Sequence, residues 1–435
     1  MNKNLLTIII FMMYSTFSMA QEQKNHPVPV MWGDFADPTI VRDGKDFYMT
    51  HSSFTYSPGL VIWHSRDLVN WKQIGAALPH YDGASIYAPD ITKYKGRFYI
   101  YYPAGGKVFV VWTDNIKGKW SEPVWIEGVE GIDPGHIAEQ ETGQRYLYVN
   151  NGHVYPLNEE GTKITGKVLH VYDGWKYPDE WETEGMWLES PKLFWHNGYY
   201  YLISAEGGTA GPPTSHMVVC ARSKSPVGPW EDSPYNPIVH TYTDTEAWWS
   251  IGHGTAIDDK DGNWWMIYHG YRNNFHTLGR HTLLEQMEWT NDGWLVASKE
   301  NVVPKQKKPQ VLWQWWRGKE EVYTRTIYDK SYIFEADVKL GNADSAGLKL
   351  FYNDKNSIGF ITDGKNAPSK CHIRIENHSN IVTVSVNGKL LEGTPADVSQ
   401  MNHNKCGEFL SLRPSLVSYG KERAKFSHIK YSRLP

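Results

Sequence analysis

Short runs of alternating apolar and polar residues fill residues 27–303, and Gly, Pro, Asn and Asp turns separate them. This pattern is typical of β-strands, and helical periodicity is almost absent. One phrase recurs five times: an acidic residue or a histidine is followed six to ten residues later by glycine and then by an aromatic strand. The copies begin at Asp37, Asp90, Asp133, Glu189 and His253, at intervals of 53, 43, 56 and 64 residues.

A repeat of about 50 residues in a β-rich chain is typical of a β-propeller with one blade per repeat. Five copies of the phrase therefore predict five blades. The repeated polar residues would then begin the innermost strand of each blade and converge near the central axis. The sequence thus predicts that carboxylates from different blades meet at one place.

The pattern changes at residues 305–309, a basic stretch that contains proline and that we predict to be a linker. Beyond it, residues 310–435 form alternating short segments, and Asn387-Gly388 is typical of a hairpin turn. Seven or more short strands in this region favour a β-sandwich. The predicted fold is all-β: a five-bladed β-propeller over residues 27–304, followed by a jelly-roll-like β-sandwich accessory domain over residues 310–435.

The first 20 residues are typical of a cleavable signal peptide. Lys3 precedes an apolar run over residues 5–13, and a small residue, Ala20, ends the segment. The run is too short for a convincing membrane span. We therefore expect a periplasmic or secreted protein with no membrane partner.

Composition narrows the function classes. The chain has 44 Lys and Arg against 48 Asp and Glu, so a nucleic-acid partner is not expected. The 20 Trp and 27 Tyr suit β-strands, and aromatic rings also line sugar sites. The three cysteines, Cys220, Cys371 and Cys406, are neither a disulfide framework nor a zinc site, and whether Cys371 pairs with Cys406 stays open.

Converging carboxylates repel one another and are partly desolvated, which pushes their pKa values apart. One carboxyl can then stay protonated near neutral pH while another stays ionised. Hydrolysis of a glycosidic bond needs such a pair, because an acid protonates the leaving oxygen while a base activates water.

Several phrases resemble glycoside hydrolase family 43, in the family's order along the chain. They are ADPTIVRDGKDFYMTHSSFTYSPGLVIWHSRDLVNW, YAPDI, GIDPGHI, ESPKLFWHNGYYYLISAEGGT, SIGHGTAIDDKDGNWWMIYHGYR and LGRHTLLEQMEWTNDGWLV. The family fold is a five-bladed propeller, in agreement with the repeat count. The resemblance implies an inverting mechanism with Asp37 as general base, Glu189 as general acid and Asp133 as the residue that tunes the pKa of the acid.

Glu184 competes with Glu189 for the role of acid, since it also precedes a glycine. The nine-residue spacing from Glu189 to Gly198 and the proline at position 191 favour Glu189.

The resemblance also implies residues that bind the substrate. Phe54 and Tyr87 would wall the sugar subsite, and the guanidinium fork of Arg280 suits vicinal hydroxyls. Asp90 has either a structural role near the axis or a contact with substrate. His253 would face a calcium ion or a water on the axis, although imidazole is a poor calcium ligand. No cofactor is expected beyond this structural calcium.

The predicted function is an inverting exo-glycoside hydrolase that removes terminal α-L-arabinofuranose or β-D-xylose from plant cell-wall oligosaccharides or polysaccharides. Three alternatives stay open at this stage: an endo-arabinanase, an exo-galactanase-type glycosidase, and a carbohydrate-binding propeller without turnover.

Overall fold

The computed structural model describes residues 27–300, 303, 306 and 308–435. The predicted signal peptide and two lysines of the predicted linker, Lys305 and Lys307, lie outside the described residues. Strands dominate the described chain, with one 3-10 helix (His276–Leu278) and one α-helix, α1 (His403–Cys406). Neither of these helices has the length or the apolar character that a membrane crossing requires.

Five antiparallel sheets follow the N-terminal strand β1 (Val28–Met31), and each forms one blade. The first contains β2 (Thr39–Asp43), β3 (Asp46–Thr50), β5 (Gly59–Ser65) and β6 (Lys72–Leu78), while the short strand β4 (Tyr56–Ser57) lies outside it. The second contains β7 (Asp90–Tyr94), β8 (Arg97–Ala104), β9 (Lys107–Thr113) and β10 (Val124–Trp125). The third contains β11 (Gly135–Ala138), β12 (Arg145–Val149), β13 (His153–Leu157) and β14 (Leu169–His170).

The fourth blade contains β15 (Glu189–His196), β16 (Tyr199–Glu206), β17 (Met217–Ser223), β18 (Glu231–Asp232) and β19 (Val239–His240). The fifth contains β20 (Trp248–Asp258), β21 (Trp264–Arg272), β22 (Arg280–Trp289) and β23 (Leu295–Ala297). The five predicted blades are therefore confirmed.

Apolar side chains from neighbouring blades pack together between the sheets. Ile62 of the first blade and Ile100 of the second share one fully buried cluster, for example, and Ile203 of the fourth and Met266 of the fifth share another. Each buried side chain of this size contributes about 1.5–3 kcal/mol to folding. The aromatic and β-branched strands thus hold the blades against one another around the axis.

The ring of blades is closed by the first described strand. β1 pairs antiparallel with β22 of the fifth blade, with Val28 opposite Leu284 and Met31 opposite Thr282. The sequence pattern did not predict this pairing. It joins the two ends of the propeller through backbone hydrogen bonds.

Two further sheets form the C-terminal β-sandwich. Their strands are β24 (Trp313–Trp316), β25 (Val322–Arg325), β26 (Ser331–Lys339), β27 (Ser345–Asn353), β28 (Asn356–Thr362), β29 (Lys370–His378), β30 (Ile381–Val386), β31 (Lys389–Leu390), β32 (Ala396–Asp397), β33 (Arg413–Tyr419) and β34 (Lys425–Arg433). One sheet has the order β28-β27-β33-β25-β24-β4, and the other has the order β31-β30-β29-β26-β34 with β32 beside β30. The predicted hairpin at Asn387-Gly388 is confirmed, since both residues have positive φ and join β30 to β31.

The sandwich packs directly on the propeller. β4 of the first-blade region pairs with β24, and Phe54, Tyr56 and Leu278 belong to the sandwich core cluster. The backbone N–H of Leu412 also donates to the carbonyl of Thr277 over 2.8 Å. All three cysteines of the chain are free, so Cys371 and Cys406 are not paired.

Candidate active site

The inner strands of the five blades form a closed ring about the axis. Along this ring β2 contacts β7, β7 contacts β11, β11 contacts β15, β15 contacts β20, and β20 contacts β2. Four residues of the repeated phrase, Asp37, Asp90, Asp133 and Glu189, lie at or within two residues of the start of these strands, whereas His253 lies in the middle of β20 and not at its start as predicted. The predicted convergence therefore follows from the order of the blades.

Local backbone irregularities accompany the converging side chains. Asp37, Asp133 and His253 have φ values of 57°, 54° and 58°, in the left-handed region that Asp and His tolerate better than most residues. Ser190, directly after Glu189, has φ 54° and lies where the register of β15 shifts. Bulges of this kind turn side chains out of the regular alternation and are common beside active sites.

Asp37 is buried and surrounded by cationic and polar groups. Its Oδ1 lies 2.9 Å from Nη1 of Arg280, 3.0 Å from Nδ1 of His269 and 3.6 Å from Nδ1 of His253. The hydroxyl of Ser52 donates to Oδ2 over 2.5 Å. Although burial alone would raise the pKa of Asp37, Arg280 and the two imidazoles hold it well below its usual value. Asp37 is therefore ionised at neutral pH, as a general base must be.

Asp133 and Glu189 are shifted in the opposite direction. Burial, and then the charge of Asp37, raises the pKa of Asp133 to about 7. Burial, followed by the charges of Asp133 and Asp37, raises the pKa of Glu189 well above its usual value. The Glu189 side chain keeps 21% of its surface exposed, so a substrate can reach it. The site thus combines an ionised carboxylate with a protonated carboxyl, which is the division of roles that acid–base catalysis requires.

Two histidines of the site were not predicted. His269 bonds to Asp37, and its ring stacks on that of His216 with centroids 5.3 Å apart. Nδ1 of His216 lies 3.1 Å from the carbonyl oxygen of Glu206 and must donate to it, which leaves Nε2 as an acceptor 3.8 Å from Oε1 of Glu189. In the sequence, His269 could have been recognised as a polar residue within the apolar phrase WWMIYHG.

His253 belongs to two overlapping groups of side chains with the spacing of metal ligands. Asp37, His253 and His269 form one group, and Glu189, His216 and His253 form the other. Each group offers one carboxylate and two imidazoles, whereas Ca²⁺ takes about six to eight oxygen ligands. Within the described residues, this donor set does not fit the expected calcium ion. Nε2 of His253 is buried and has no hydrogen-bond partner in the described chain.

The residues expected to contact sugar lie together beside Asp37. The rings of Phe54 and Tyr87 have centroids 6.1 Å apart, and Tyr87 is 39% exposed. The guanidinium of Arg280 lies 5.8 Å from the Phe54 ring and 4.8 Å from the ring of Phe409. Phe409 comes from the sandwich and was not predicted, because no pattern in residues 310–435 shows which loop meets the propeller.

The contacts of Asp90 favour the structural role over contact with substrate. Its Oδ1 accepts from the hydroxyl of Thr39 (3.3 Å) and from Nζ of Lys192 (3.1 Å), and its Oδ2 accepts from the backbone N–H of His136 (2.9 Å). These protein donors engage both oxygens. Lys192, buried between the inner strands, was also missed by the sequence analysis.

Glu184 lies apart from the axial carboxyls. It is exposed, and its Oε2 accepts a hydrogen bond from the backbone N–H of Ala210 over 2.9 Å. The structure therefore brings Glu189, and not Glu184, together with Asp37 and Asp133.

The fold and the axial carboxyls define a β-propeller with an acid–base centre. Residues 26–295 match the family described as Glycosyl hydrolases family 43, and the chain belongs to this family. It is 36% identical over 323 residues to a non-reducing end α-L-arabinofuranosidase of Bacteroides ovatus, and 30% identical over 335 residues to a xylan 1,3-β-xylosidase of a Vibrio species. The matches cover 69% and 66% of this chain but only 58% and 60% of those relatives.

Solved structures share the whole architecture. A xylan β-1,4-xylosidase from Bacillus halodurans has a TM-score of 0.78 at 23% identity, covering 93% of this chain and 99% of that one. A family 43 protein from Bacillus licheniformis has a TM-score of 0.78 at 24% identity, covering 94% of this chain and 100% of that one. At this identity the likeness establishes the fold alone.

Proposed function

We propose that the protein is an inverting exo-glycoside hydrolase that removes terminal pentoses, α-L-arabinofuranose or β-D-xylose, from plant cell-wall oligosaccharides or polysaccharides. The observation that carries the proposal is the opposite direction of the pKa shifts of Asp37 and Glu189 in one buried cluster. The names of the two relatives, an arabinofuranosidase and a xylosidase, support the choice of pentoses.

In the proposed reaction a water molecule lies between Asp37 and the anomeric carbon. Asp37 takes a proton from this water, the water oxygen bonds to the anomeric carbon, and the glycosidic C–O bond breaks. Glu189 gives its proton to the departing oxygen. The single displacement inverts the anomeric centre, and it needs no cofactor because all proton transfers run between carboxyls and water.

The other residues support this pair. Burial raises the pKa of Glu189 most, and the negative charge of Asp133 adds to this effect and so helps to keep the acid protonated. Arg280 holds Asp37 ionised and presents its remaining donors to sugar hydroxyls. Tyr87 provides the exposed wall of the sugar subsite, and Phe54, which is buried and not exposed as the sequence led us to expect, packs behind it.

An exo mode is supported by the sandwich, because the ring of Phe409 lies 4.8 Å from the guanidinium of Arg280 and so places a sandwich residue beside the axial cluster. An endo-acting enzyme of this fold would need an open groove at that place. We further propose export through the N-terminal signal peptide to the periplasm or the medium. A calcium ion on the axis would have to draw most of its oxygens from water.

Release of nitrophenol from α-L-arabinofuranoside, β-D-xyloside and β-D-galactoside substrates tests the proposal, with Glu189→Gln as the variant. We expect hydrolysis of a pentoside, and in Glu189→Gln a loss of roughly 10²–10⁴-fold in kcat on a disaccharide of that pentose, whose leaving hydroxyl needs the proton of the acid. Glu182→Gln, which changes an exposed glutamate seven residues earlier, is the matched control and should keep full activity. Hydrolysis of the galactoside alone, or full activity of Glu189→Gln, would overturn the proposal.

A further inference from the structure

The segment between β14 and β15 ends in an exposed aromatic side chain that the proposed chemistry does not use. Trp187 is 57% exposed and stands two residues before Glu189. Its φ is 39°, a left-handed value that is a genuine outlier for a bulky residue. Strained backbone of this kind clusters at functional sites, where the surrounding structure maintains it.

The indole ring of Trp187 lies close to the backbone at Gly185 and Gly208. A Cβ atom at Gly208 would come within 2.7 Å of its Cδ1, and a Cβ atom at Gly185 would come within 2.6 Å of its Nε1. Only glycine at these two positions leaves room for the ring. The same Cβ at Gly208 would lie 2.4 Å from Oε2 of Glu184, so this carboxylate lies beside the ring.

A short chain of contacts connects this ring to the catalytic cluster. Thr209, the residue after Gly208, has its Oγ1 3.2 Å from Nε2 of His269, whose Nδ1 bonds to Asp37. The charge of Glu184 also acts on the pKa of Glu189. Trp187 therefore stands at the rim of the axial site, on the side of the proposed acid.

Backbone hydrogen bonds hold the segment before β15 in place. The N–H of Gly207 donates to the carbonyl of Met186, and the N–H of Glu184 donates to the carbonyl of Gly207, both over 3.0 Å. These bonds continue the pairing of β15 with β16 beyond Glu189. The ring is thus held by an ordered edge of the fourth blade.

We propose that Trp187 is the stacking platform for the first sugar of the leaving group, with Glu184 as an acceptor for one of its hydroxyls. This rests on the proposed function, because a leaving sugar exists only if Glu189 protonates a glycosidic oxygen. That oxygen lies at Glu189, so the sugar attached to it lies next to Glu189 as well. A flat ring that is fixed and exposed there can stack on the apolar face of a pyranose, while a few polar groups set its orientation.

The test compares two substrates that share the pentose and differ in the leaving group. One is the pentosyl fluoride, whose leaving group carries no ring, and the other is a disaccharide with the same pentose linked to D-xylose. In Trp187→Ala we expect kcat/KM for the disaccharide to fall tenfold or more and kcat/KM for the fluoride to stay within twofold. Trp187→Phe, which keeps a ring, should recover part of the loss.

Trp125→Ala is the matched control, since Trp125 is 42% exposed on β10, the outer strand of the second blade. It should leave both substrates unaffected. An equal fall on both substrates in Trp187→Ala would show a structural role and overturn the proposal, as would no fall on either.

A second measurement separates this proposal from the proposed function. If the wild type hydrolyses neither substrate, the proposed function is wrong. Binding of the disaccharide then tests whether Trp187 is a stacking platform. Calorimetric titration of the disaccharide into Glu189→Gln and into Glu189→Gln/Trp187→Ala should then give at least fivefold weaker binding to the double variant. Equal binding to the two variants, including no measurable binding to either variant, would overturn the proposed role of Trp187.

Discussion

Three carboxyls of similar intrinsic acidity behave differently here because their nearest neighbours differ. Asp37 lies 2.9 Å from a guanidinium and 3.0 Å from an imidazole, so it stays ionised despite full burial. Asp133 and Glu189 hold protons more tightly, first because burial disfavours their charged forms and then because the charge of Asp37 raises both pKa values. The charge of one acid thus adds to the effect of burial on the other two.

Asp133→Asn tests this dependence through the pH profile. As the proposed acid, Glu189 acts in its protonated form, so activity is expected to fall as pH rises through its pKa. Removing the negative charge of Asp133 lowers that pKa, so we expect the alkaline limb of kcat/KM to move to lower pH. Asp179→Asn, an exposed residue of the segment before β15, should leave the profile unchanged. An alkaline limb that stays in place or moves to higher pH in Asp133→Asn would contradict the assigned role.

At the scale of the elements, a buried lysine ties three inner strands together. Nζ of Lys192 on β15 donates to the carbonyls of Pro89 and Pro134 over 2.9 Å and to Asp90 over 3.1 Å. Pro89 directly precedes β7 and Pro134 directly precedes β11. Lys192 thus holds the starts of β7 and β11 against β15. Asp133 lies just before β11, and Glu189 is the first residue of β15.

Lys192→Met would leave two carbonyls and the Asp90 carboxylate buried without this partner. We expect the free energy of unfolding to fall by about 3 kcal/mol or more, because breaking a buried ion pair leaves an uncompensated charge. Urea denaturation measures the change. Lys72→Met, an exposed lysine of β6, should shift the free energy of unfolding by no more than about 0.5 kcal/mol. Similar small losses in both variants would show that Lys192 does not have this role.

The repeat in the sequence was sufficient to predict the blades and the convergence of Asp37, Asp133 and Glu189, since both depend on residues within each repeat. The repeat did not predict that Lys192 and Phe409 belong to the site. Each of these side chains acquires its role only through the packing of elements far apart in the chain. A lysine in a strand is ordinarily exposed, and only the ring geometry shows that this one is enclosed.

At the scale of the whole molecule, the sandwich supports the axial site. The buried pair of Arg413 and Asp34, with Nη2 3.1 Å from Oδ2, joins β33 to the segment that leads into Asp37. Oδ1 of Asp34 accepts from the backbone N–H of Arg280 over 3.4 Å. The position of Arg280 is therefore linked to the sandwich through Asp34.

Arg413→Met should lower the free energy of unfolding by about 3–5 kcal/mol, because it leaves the Asp34 carboxylate buried and unpaired. The double variant Asp34→Asn/Arg413→Met removes that charge as well and should regain at least about 1 kcal/mol. Chemical denaturation of both variants measures these differences. Arg423→Met, which removes an exposed arginine of the sandwich, provides the reference for a surface change. A loss below about 1 kcal/mol in Arg413→Met would contradict the inferred coupling.

The pairing of β1 with β22 also affects the order in which the propeller folds during synthesis. Val28 and Leu284 can pair only after the ribosome has synthesised β22 in the fifth blade. β1, the first strand of the propeller, therefore stays without this partner until nearly the whole propeller has been made. Contacts between such distant positions form slowly, because the entropy of closing the loop must be overcome first. Until then β1 and the edge of β22 that it covers are open to solvent and to chaperones.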